Sequence, residues 1–415
     1  PSLMIKQAIA ILSLIIIHST LLGALPASKK NIRKAKRIHD KVLTIDSHND
    51  TPLRMVRPDF DWGERHDAKS SRSKVDLVRM KEGGLDGAFF AIFVGQGPRT
   101  TEGYEKVKQR TMMIFDTLLN AINRYPDKVG LALTPDDAYR LEKEGKRVAF
   151  IGVENGYPVG KEIGMVQALY DRGARYITLV HTRNNDICDS STDTLGFDGL
   201  SDFGSEVVAE MNRLGMMIDV SHASDASFYD ILEITRSPII ASHSCARALC
   251  DNPRNLDDEM LRALAANGGV IQMCILSDYV KIPAPNPQRD SARAAVREKF
   301  RGFEDLTDEE MKQARKEWYG IEDQFPRELA NVSEVVDHID HIVEVAGIDH
   351  VGIGTDFDGG GGVTGCYDVS EMGNITLELV ERNYSEEDIR KIWGGNLMRV
   401  MNEDRRIAQE IAHRR

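Results

Sequence analysis

Short apolar runs alternate with helical patterns along the chain from about residue 40 onward. Each run has the length of a buried parallel strand and is rich in Val, Ile or Phe. The predicted strands are Leu43–Ser47, Gly87–Val94, Val148–Glu154, Tyr176–His181, Met216–His222, Pro238–His243, Val270–Ile275 and Val351–Asp356. Between them, apolar residues recur at helical spacing, as in Ser205–Gly215 and Asp257–Gly269, and both segments end in the glycine that is common after helices.

Eight strands, each followed by a helix or a long connection, predict an α/β fold of the TIM type, a (β/α)8 barrel. A doubly wound open sheet is the alternative, but no G-x-G-x-x-G follows the first strand. The connection from Tyr279 to Ser333 is long, charged and rich in helix-forming residues, so we expect a helical insertion before the eighth strand. This insertion could cover the barrel mouth, form an interface, or lie solvated on the surface.

The N-terminal segment has a different pattern. Lys6 precedes an apolar run, Ala8–Leu22, and small residues follow that run. This order predicts a secretory signal peptide over residues 1–27 and a single barrel domain over residues 28–415. An uncleaved membrane anchor is the alternative, although polar residues interrupt the run and a span needs about 20 apolar residues. We therefore expect an exported protein, periplasmic or secreted, with no stable membrane span after signal removal.

Composition narrows the classes of partner. The chain has 415 residues, of which 41% are hydrophobic and 28% charged, which is enough material for a large core. The net charge of −12 argues against nucleic acid as a partner, because phosphate binding needs a basic face. The five cysteines form no C-x-x-C pair, which argues against a zinc site made of cysteines.

Six of the eight predicted strands end in His, Asp or Glu. Their carboxyl ends read DSHND, GVENG, TLVHTRNND, IDVSH, IIASHS and GIGTDFDGG. In a barrel these ends converge on one mouth, where the active sites of barrel enzymes lie. Burying so much charge is costly unless the groups are paired or bind metal. The pattern therefore predicts a polar site at the mouth with metal as its compensating charge.

The candidate ligands supply three imidazoles and two carboxylates. They are His48, Asp50, Glu154, His222 and His243. One catalytic zinc ion usually takes three protein ligands and a water, so this set is too large for one ion. It suits two metal ions bridged by a carboxylate and by a hydroxide that acts as the nucleophile. Glu154 is the natural bridge, because its strand lies between the first and the fifth.

These motifs carry a resemblance to a known family. DSHND, GVENG, TLVHT, DVSHAS, ASHSCAR, NPRN and GTDFDG follow the order and approximate spacing of the membrane (renal) dipeptidase family. The chain resembles that family from about Ile45 to Asn396. Its members are zinc-dependent dipeptidases with an amidohydrolase-like barrel. The resemblance implies two zinc ions and a dipeptide substrate with a free C-terminal carboxylate.

The resemblance also divides the metal ligands between the two ions. His48 and Asp50 resemble the ligands of one zinc ion. His222 and His243 resemble the ligands of the other, and Glu154 resembles the bridge. The H-x-D spacing of the first pair agrees with this family, because many related metallohydrolase barrels begin with H-x-H instead.

Three further residues resemble the family's substrate and proton-transfer groups. His181 would polarise the scissile carbonyl and stabilise the oxyanion. Arg254 would hold the substrate's carboxylate through two hydrogen bonds. Asp356 would pass a proton from the bridging water to the leaving amine. Asp46 is expected to support the ligands through hydrogen bonds.

Two other functions stay open at this stage. A related metal-dependent amidohydrolase could act on a lactam or an N-acyl amino acid, and a catalytically silent barrel could bind peptide or metal. The intact ligand set and Asp356 argue against the silent barrel. Sites made of histidine and carboxylate also accept divalent ions other than zinc. A homodimer is an open alternative to a monomer.

Overall fold

The structure is a computed structural model that describes residues 28–303 and 306–414. The predicted signal peptide, residues 1–27, lies outside the described residues. Nine strands pair in parallel in one sheet. The strands are β1 (Ile45–Asn49), β2 (Gly87–Phe93), β3 (Val129–Leu131), β4 (Arg147–Glu154), β5 (Ala174–Thr178), β6 (Met217–Asp219), β7 (Ile239–Ser244), β8 (Val270–Cys274) and β9 (Val351–Gly354).

Eight of these strands form a nearly closed barrel in the order β1-β2-β4-β5-β6-β7-β8-β9. Between β9 and β1 the ring is completed at the carboxyl ends. The amide of Asp50 donates to the carbonyl of Phe357 over 2.8 Å, and the amide of Asp356 donates to the carbonyl of His48 over 2.9 Å. The predicted (β/α)8 barrel is confirmed, and its first and last strands meet at the residues predicted to do the chemistry.

The short strand β3 was absent from the prediction. It pairs with the first residues of β4, Arg147 to Ala149, on the edge of β4 that β5 occupies further along. Three residues are too few to produce a recognisable apolar run, which is why the sequence pattern missed it.

Three predicted strands end two or three residues earlier than expected. β5, β6 and β9 stop before His181, His222 and Asp356, so these side chains lie on loops that follow the strands. Two of the loops turn sharply, because φ is 73° at His222 and 56° at Asp356. A residue in this left-handed region cannot continue a strand.

Helices surround the barrel. They are α1 (Lys29–His39), α2 (Pro52–Met55), α3 (Ala68–Ser71), α4 (Leu77–Glu82), α5 (Thr101–Arg124), α6 (Pro135–Lys143), α7 (Gly164–Asp171), α8 (Asp202–Leu214), α9 (Asp225–Ile234), α10 (Asp258–Ala266), α11 (Ser277–Val280), α12 (Pro287–Lys299), α13 (Asp308–Gln324), α14 (Val332–Ala346), α15 (Gly373–Glu381), α16 (Glu386–Arg390) and α17 (Asn396–His413). The predicted helix that ends at Gly215 is α8, which Ser201 caps and after which Gly215 adopts a φ of 70°. No helix within the described ranges is both long and apolar enough to span a bilayer.

The barrel is closed at its amino-terminal end and open at its carboxyl end. Inward-facing side chains such as Phe89, Phe150 and Met217 form one buried cluster with Leu397 and Met401 of α17. The opposite faces of the strands pack against the surrounding helices in a second, larger cluster. α17 thus contributes to the core beneath the barrel, while the carboxyl ends of the strands are left to form a site.

The helical insertion consists of α11, α12 and α13, as the sequence predicted. α12 and α13 have a small apolar core of their own, made by Val296, Phe300, Ala314 and Ile321. α13 also contacts the segment between β1 and β2, because Arg72 pairs with Asp323 over 2.9 Å and lies over the ring of Tyr319. The insertion therefore lies against a loop of the barrel mouth rather than standing free in solvent.

Candidate metal centre and active site

A cavity of about 310 Å³ opens at the carboxyl end of the barrel. Six of the eight predicted site residues line it: Asp50, Glu154, His181, His222, His243 and Asp356. The other lining residues were not predicted as site residues: Leu53, Phe93, Thr182, Leu276, Tyr279, Asp358 and Gly359. His48 is fully buried against the lining residues, and Arg254 is buried behind His243.

Glu154 lies at the centre of the predicted ligands. Its Oε2 atom is 3.5 Å from Nε2 of His48, and that nitrogen is 3.7 Å from Oδ2 of Asp50. Its Oε1 atom is 3.1 Å from Nε2 of His222 and 3.6 Å from Nε2 of His243. The two oxygens of one carboxylate thus face two different pairs of ligand candidates.

Several polar atoms in this group are buried without a partner. Nε2 of His48 and Oδ1 of Asp50 have no hydrogen-bond partner among the residues that the structure describes. The Nε2 atoms of His222 and His243 are only 3.0 Å apart. Unsatisfied buried polar groups are costly, and nitrogen and carboxylate atoms aimed at a common space are what a divalent cation needs. The residues present therefore fit a metal centre.

The protonation of the two histidines on the Oε1 side also suits metal binding. Burial lowers the pKa of His222 and of His243 well below the usual value, and nearby positive groups such as Arg254 add to this. Both imidazoles are therefore neutral near pH 7. A neutral imidazole offers a lone pair to a metal ion, whereas an imidazolium does not.

The residues around Oε2 of Glu154 favour a positive charge on His48. Burial opposes the charged form of His48, but the Tyr176 hydroxyl and the carboxylates of Glu154 and Asp50 together raise its pKa well above the usual value. Burial and the charge of Asp50 raise the pKa of Glu154. Two buried carboxylates around one imidazole thus attract a cation, and a metal ion can supply that charge.

Tyr176 orients His48. Its hydroxyl donates to the carbonyl of Ser47 over 3.2 Å, so its oxygen is free to accept from Nδ1–H of His48 at 2.8 Å. When a metal ion supplies the positive charge of this group, His48 keeps its proton on Nδ1, and the lone pair of Nε2 is directed into the site. Gly152 makes room for the ring, because a methyl group there would lie 2.0 Å from it. Tyr176 was not among the predicted site residues, and its only signal in the sequence was an aromatic residue in a buried strand.

A hydroxyl and a carboxylate orient His243. Oγ of Ser242 lies 2.8 Å from Nδ1 of His243 and donates to Oδ2 of Asp219 over 2.6 Å. Asp219 also accepts from the amides of Ser242 and Ser221. The hydroxyl of Ser242 gives its proton to the carboxylate, so its oxygen accepts a hydrogen bond from Nδ1–H of His243. Nε2 of His243 is then free to bind a metal ion. Neither Asp219 nor Ser242 was among the predicted site residues.

Asp46 connects the first and last strands beneath the site. Its carboxylate accepts from the amide and hydroxyl of Thr355, over 2.7 and 2.8 Å, and from the amide of His48 over 3.2 Å. Burial raises its pKa to about 6. Asp46 thus fixes the backbone of His48 relative to the residue before Asp356, which is the supporting position expected for it.

Asp356 begins a tight glycine loop. Its carbonyl accepts from the amides of Gly359, Gly360 and Gly361 over 2.7 to 3.2 Å. Burial raises the pKa of the Asp356 carboxyl well above the usual value. The next acid, Asp358, accepts from the amide of Lys74 over 2.8 Å, so the loop is tied to the neighbouring segment. The carboxyl of Asp356 is thereby held close to His48 and Asp50.

Arg254 lies behind the predicted metal ligands. Its Nη2 atom donates to the carbonyl of His243 over 3.3 Å, and its guanidinium lies 5.2 Å from the centre of the Tyr279 ring. Nε of Arg254 is buried without a partner in the part of the chain that the structure describes. The structure thus places it beside the cavity wall, and its part in substrate binding stays a prediction.

The family model for membrane dipeptidases, peptidase family M19, matches residues 32–415. The chain belongs to the membrane dipeptidase family. It is 32% identical over 394 residues to the dipeptidase verJ of Clonostachys rogersoniana, an alignment that covers 92% of this chain and 89% of that protein. It is also 32% identical to the probable dipeptidase PvdM of Pseudomonas aeruginosa, whose crystal structure it matches with a TM-score of 0.77 over 92% of this chain and 100% of that one.

A more distant structure supports the fold alone. The metallo peptidase of Rhodobacter sphaeroides, solved with a phosphinate mimic of the dipeptide L-Ala-D-Ala, is 22% identical, with a TM-score of 0.70 over 88% of this chain and 99% of that one. Membership of the family and the histidine and carboxylate cluster make this protein a metal-dependent dipeptidase, a hydrolase that acts on peptide bonds.

Proposed function

We propose that this dipeptidase holds two zinc ions and hydrolyses dipeptides that have a free C-terminal carboxylate. The position of Glu154 supports the count of two, because its oxygens face His48 and Asp50 on one side and His222 and His243 on the other. Imidazole and carboxylate ligands suit zinc. When bound, the metal ions would supply a water that is nucleophilic at neutral pH and would polarise the carbonyl oxygen.

His181 is the group that we assign to the scissile carbonyl. Burial lowers its pKa to about 3, so its imidazole is neutral and can donate one hydrogen bond. Its Nε2 atom is 3.5 Å from Oε1 of Glu154, at the wall of the cavity. A donor fixed beside the metal ligands stabilises negative charge as it develops on the carbonyl oxygen.

Asp356 is the group that we assign to proton transfer. Its carboxyl lies at the cavity wall and close to Asp50, so it can take a proton from the attacking water and give it to the leaving amine nitrogen. Its left-handed backbone and the three amides on its carbonyl hold it in place. A fixed carboxyl at this position suits a group that must reach both atoms.

The volume of the cavity and the position of Arg254 support the proposed length of the substrate. A volume of about 310 Å³ lies at the lower end of the range for small-molecule pockets. A buried guanidinium behind His243 can bind a carboxylate through two parallel hydrogen bonds. A small site with a cation behind its wall favours a dipeptide over a longer peptide.

A dipeptide panel with two variants tests this proposal. The zinc-reconstituted enzyme should hold two metal ions per chain and cleave free dipeptides faster than their C-terminal amides, N-acyl amino acids or lactams. Asp356→Asn should keep both metals and lose about 10²–10⁴-fold in kcat. Arg254→Met should raise KM for free dipeptides and remove the preference over the amides, while Arg262→Met, an exposed change on α10, should alter neither.

Each part of the proposal has its own contrary result. One metal ion per chain at saturation would contradict the dinuclear centre. Loss of metal in Asp356→Asn would make that residue a ligand, and an unchanged preference in Arg254→Met would remove its carboxylate role. Faster turnover of a lactam or an N-acyl amino acid would favour the related amidohydrolase function.

The apolar N-terminal pattern supports, separately, the proposal that the protein is exported.

A further inference from the structure

A second cavity lies at the base of the helical insertion. It has a volume of about 150 Å³ and lies between the end of α11, the start of α12 and the segment that follows α13. Ser277, Lys281, Pro285, Arg289 and Arg327 are among its lining residues. It shares no lining residue with the active-site cavity, although α11 borders both of them.

Arg289 is buried in this cavity without a matching partner. Only 4% of its surface is exposed, yet Nε of its guanidinium is buried without a hydrogen-bond partner among the residues that the structure describes. Its nearest carboxylate is that of Asp290, 3.7 Å from Nε, and the side chain of Asp290 is 62% exposed. A guanidinium has five N–H donors and a permanent charge, so burying it this way is costly unless something in the cavity binds it.

The charges around Arg289 do not neutralise it. Arg327 pairs with Asp278, and Lys281 pairs with Glu334 over 3.0 Å, so both of these acids are already engaged. Glu328 lines the cavity but its side chain is 87% exposed. Of the three cations that line the cavity, Lys281 and Arg327 are therefore paired with acids, and Arg289 carries the positive charge that is least compensated.

The start of α12 adds to the attraction for an anion. Arg289 is in the first turn of this 13-residue helix, and Asn286 caps it by accepting from the amide of Arg289 over 3.0 Å. The N-terminus of a helix carries a partial positive charge. Water could satisfy the N–H groups of Arg289, but it would leave the exposed carboxylate of Asp290, 3.7 Å from Nε, as the nearest counter-charge.

We propose that this cavity binds a small oxyanion, a phosphate or carboxylate group, on the guanidinium of Arg289. A planar guanidinium matches either group through two parallel hydrogen bonds. The site is distinct from the metal centre and does not depend on the function proposed above. Because α11 separates the two cavities, the bound anion would join the insertion to the wall that carries Tyr279.

Equilibrium dialysis of the zinc-loaded enzyme against labelled phosphate, at constant ionic strength and without free metal, tests the proposal. A parallel series uses labelled acetate, which separates the phosphate from the carboxylate form of the ligand. We expect the wild type to bind one more anion per chain than Arg289→Met does. Anions bound at the metal centre would be present in both proteins, so the difference reports the cavity of Arg289.

Two further variants make the result specific. Arg297→Met removes an exposed arginine from the same helix and should keep the full number of bound anions. Arg289→Lys keeps the charge but lacks the planar fork, so we expect at least tenfold weaker binding. The proposal is overturned if the wild type binds neither phosphate nor acetate in excess of Arg289→Met. It is equally overturned if Arg297→Met loses the same site, and thermal melts show whether each variant is folded.

Discussion

Gly359→Ala adds only a methyl group, yet we expect this substitution to have a large effect on the metal centre. A methyl group there would lie 2.1 Å from Oδ2 of Asp50 and 2.2 Å from Oδ1 of Asp356. The first of these oxygens is the one that faces His48. The backbone of Gly359 lies outside the left-handed region, so Gly359→Ala changes these contacts rather than the backbone conformation.

The distances set the size of the effect. Ordinary contact with a methyl carbon begins at 3.4 Å, so both oxygens must move by about 1 Å. The displaced atoms are the ends of side chains, and the fold should therefore lose little stability. Metal affinity should fall about 10–100-fold, because the ligand no longer meets the ion in the geometry it needs. A misplacement of this size should also lower kcat/KM about 100-fold.

Three measurements on one preparation check this prediction. Metal content is measured after dialysis against a chelator, kcat/KM is measured on a free dipeptide, and unfolding is followed by circular dichroism. Gly95→Ala is the matched control, because Gly95 follows β2 at the same end of the barrel and a methyl group there would have no neighbour within 4 Å among the described residues.

The measurements have to distinguish an effect on the metal site from an effect on folding. Wild-type metal retention and wild-type kcat/KM in Gly359→Ala would refute the reasoning, because they would mean that the two carboxylates need not lie where the structure places them. A similar loss in Gly95→Ala would refute it too, since that substitution displaces nothing. A large fall in melting temperature in Gly359→Ala alone would show that the glycine serves the fold.

Two further predictions concern buried polar groups. Ser242→Ala removes the hydroxyl between Asp219 and Nδ1 of His243, so we expect about 10–100-fold weaker metal binding in a chelator competition, with Ser205→Ala as a control. Asp404→Asn should stabilise the fold by about 1–3 kcal/mol at pH 8, because both carboxylate oxygens of Asp404 are buried without a partner in the described ranges. Burial raises the pKa of Asp404 well above the usual value, so the wild type loses stability as the pH rises from about 4, the unfolded value, towards the raised folded pKa. The gain from Asp404→Asn should therefore shrink towards pH 4 in urea unfolding, and a gain independent of pH would contradict this explanation.

The barrel and its ligand candidates were readable from the sequence because both depend on local pattern. Buried parallel strands are continuous apolar runs, and a polar residue directly after such a run lies at the mouth whatever the rest of the chain does. His48, Glu154 and His243 needed no more than this. The order of the strands then led to Glu154 as the predicted bridge, because its strand lies between the first and the fifth.

The residues that orient the ligands were not readable in this way, because their roles depend on register between strands. Tyr176 reaches His48 across the barrel only because Gly152 on the paired strand leaves space for its ring. Arg289 is one of several arginines in a charged helical segment, and nothing local distinguishes it from Arg297. The packing of the insertion against the barrel buries the first and leaves the second exposed.

His222 and Asp356 lie at the barrel mouth, as the sequence predicted, but their backbone differs from the predicted strand. Each follows an apolar run, so it was predicted as the end of a strand, yet each has the left-handed φ that usually costs about 1 kcal/mol for a residue with a side chain. Long-range hydrogen bonds compensate for that cost: the carbonyl of His222 accepts from the amide of Ser191 over 2.8 Å, and the amide of Asp356 donates to the carbonyl of His48. The same turn directs each side chain back over the mouth, where a continuing strand would have carried it away. Contacts from other parts of the chain thus hold His222, a proposed ligand, and Asp356, the proposed proton carrier, in a strained backbone conformation. No local sequence pattern could have predicted this conformation.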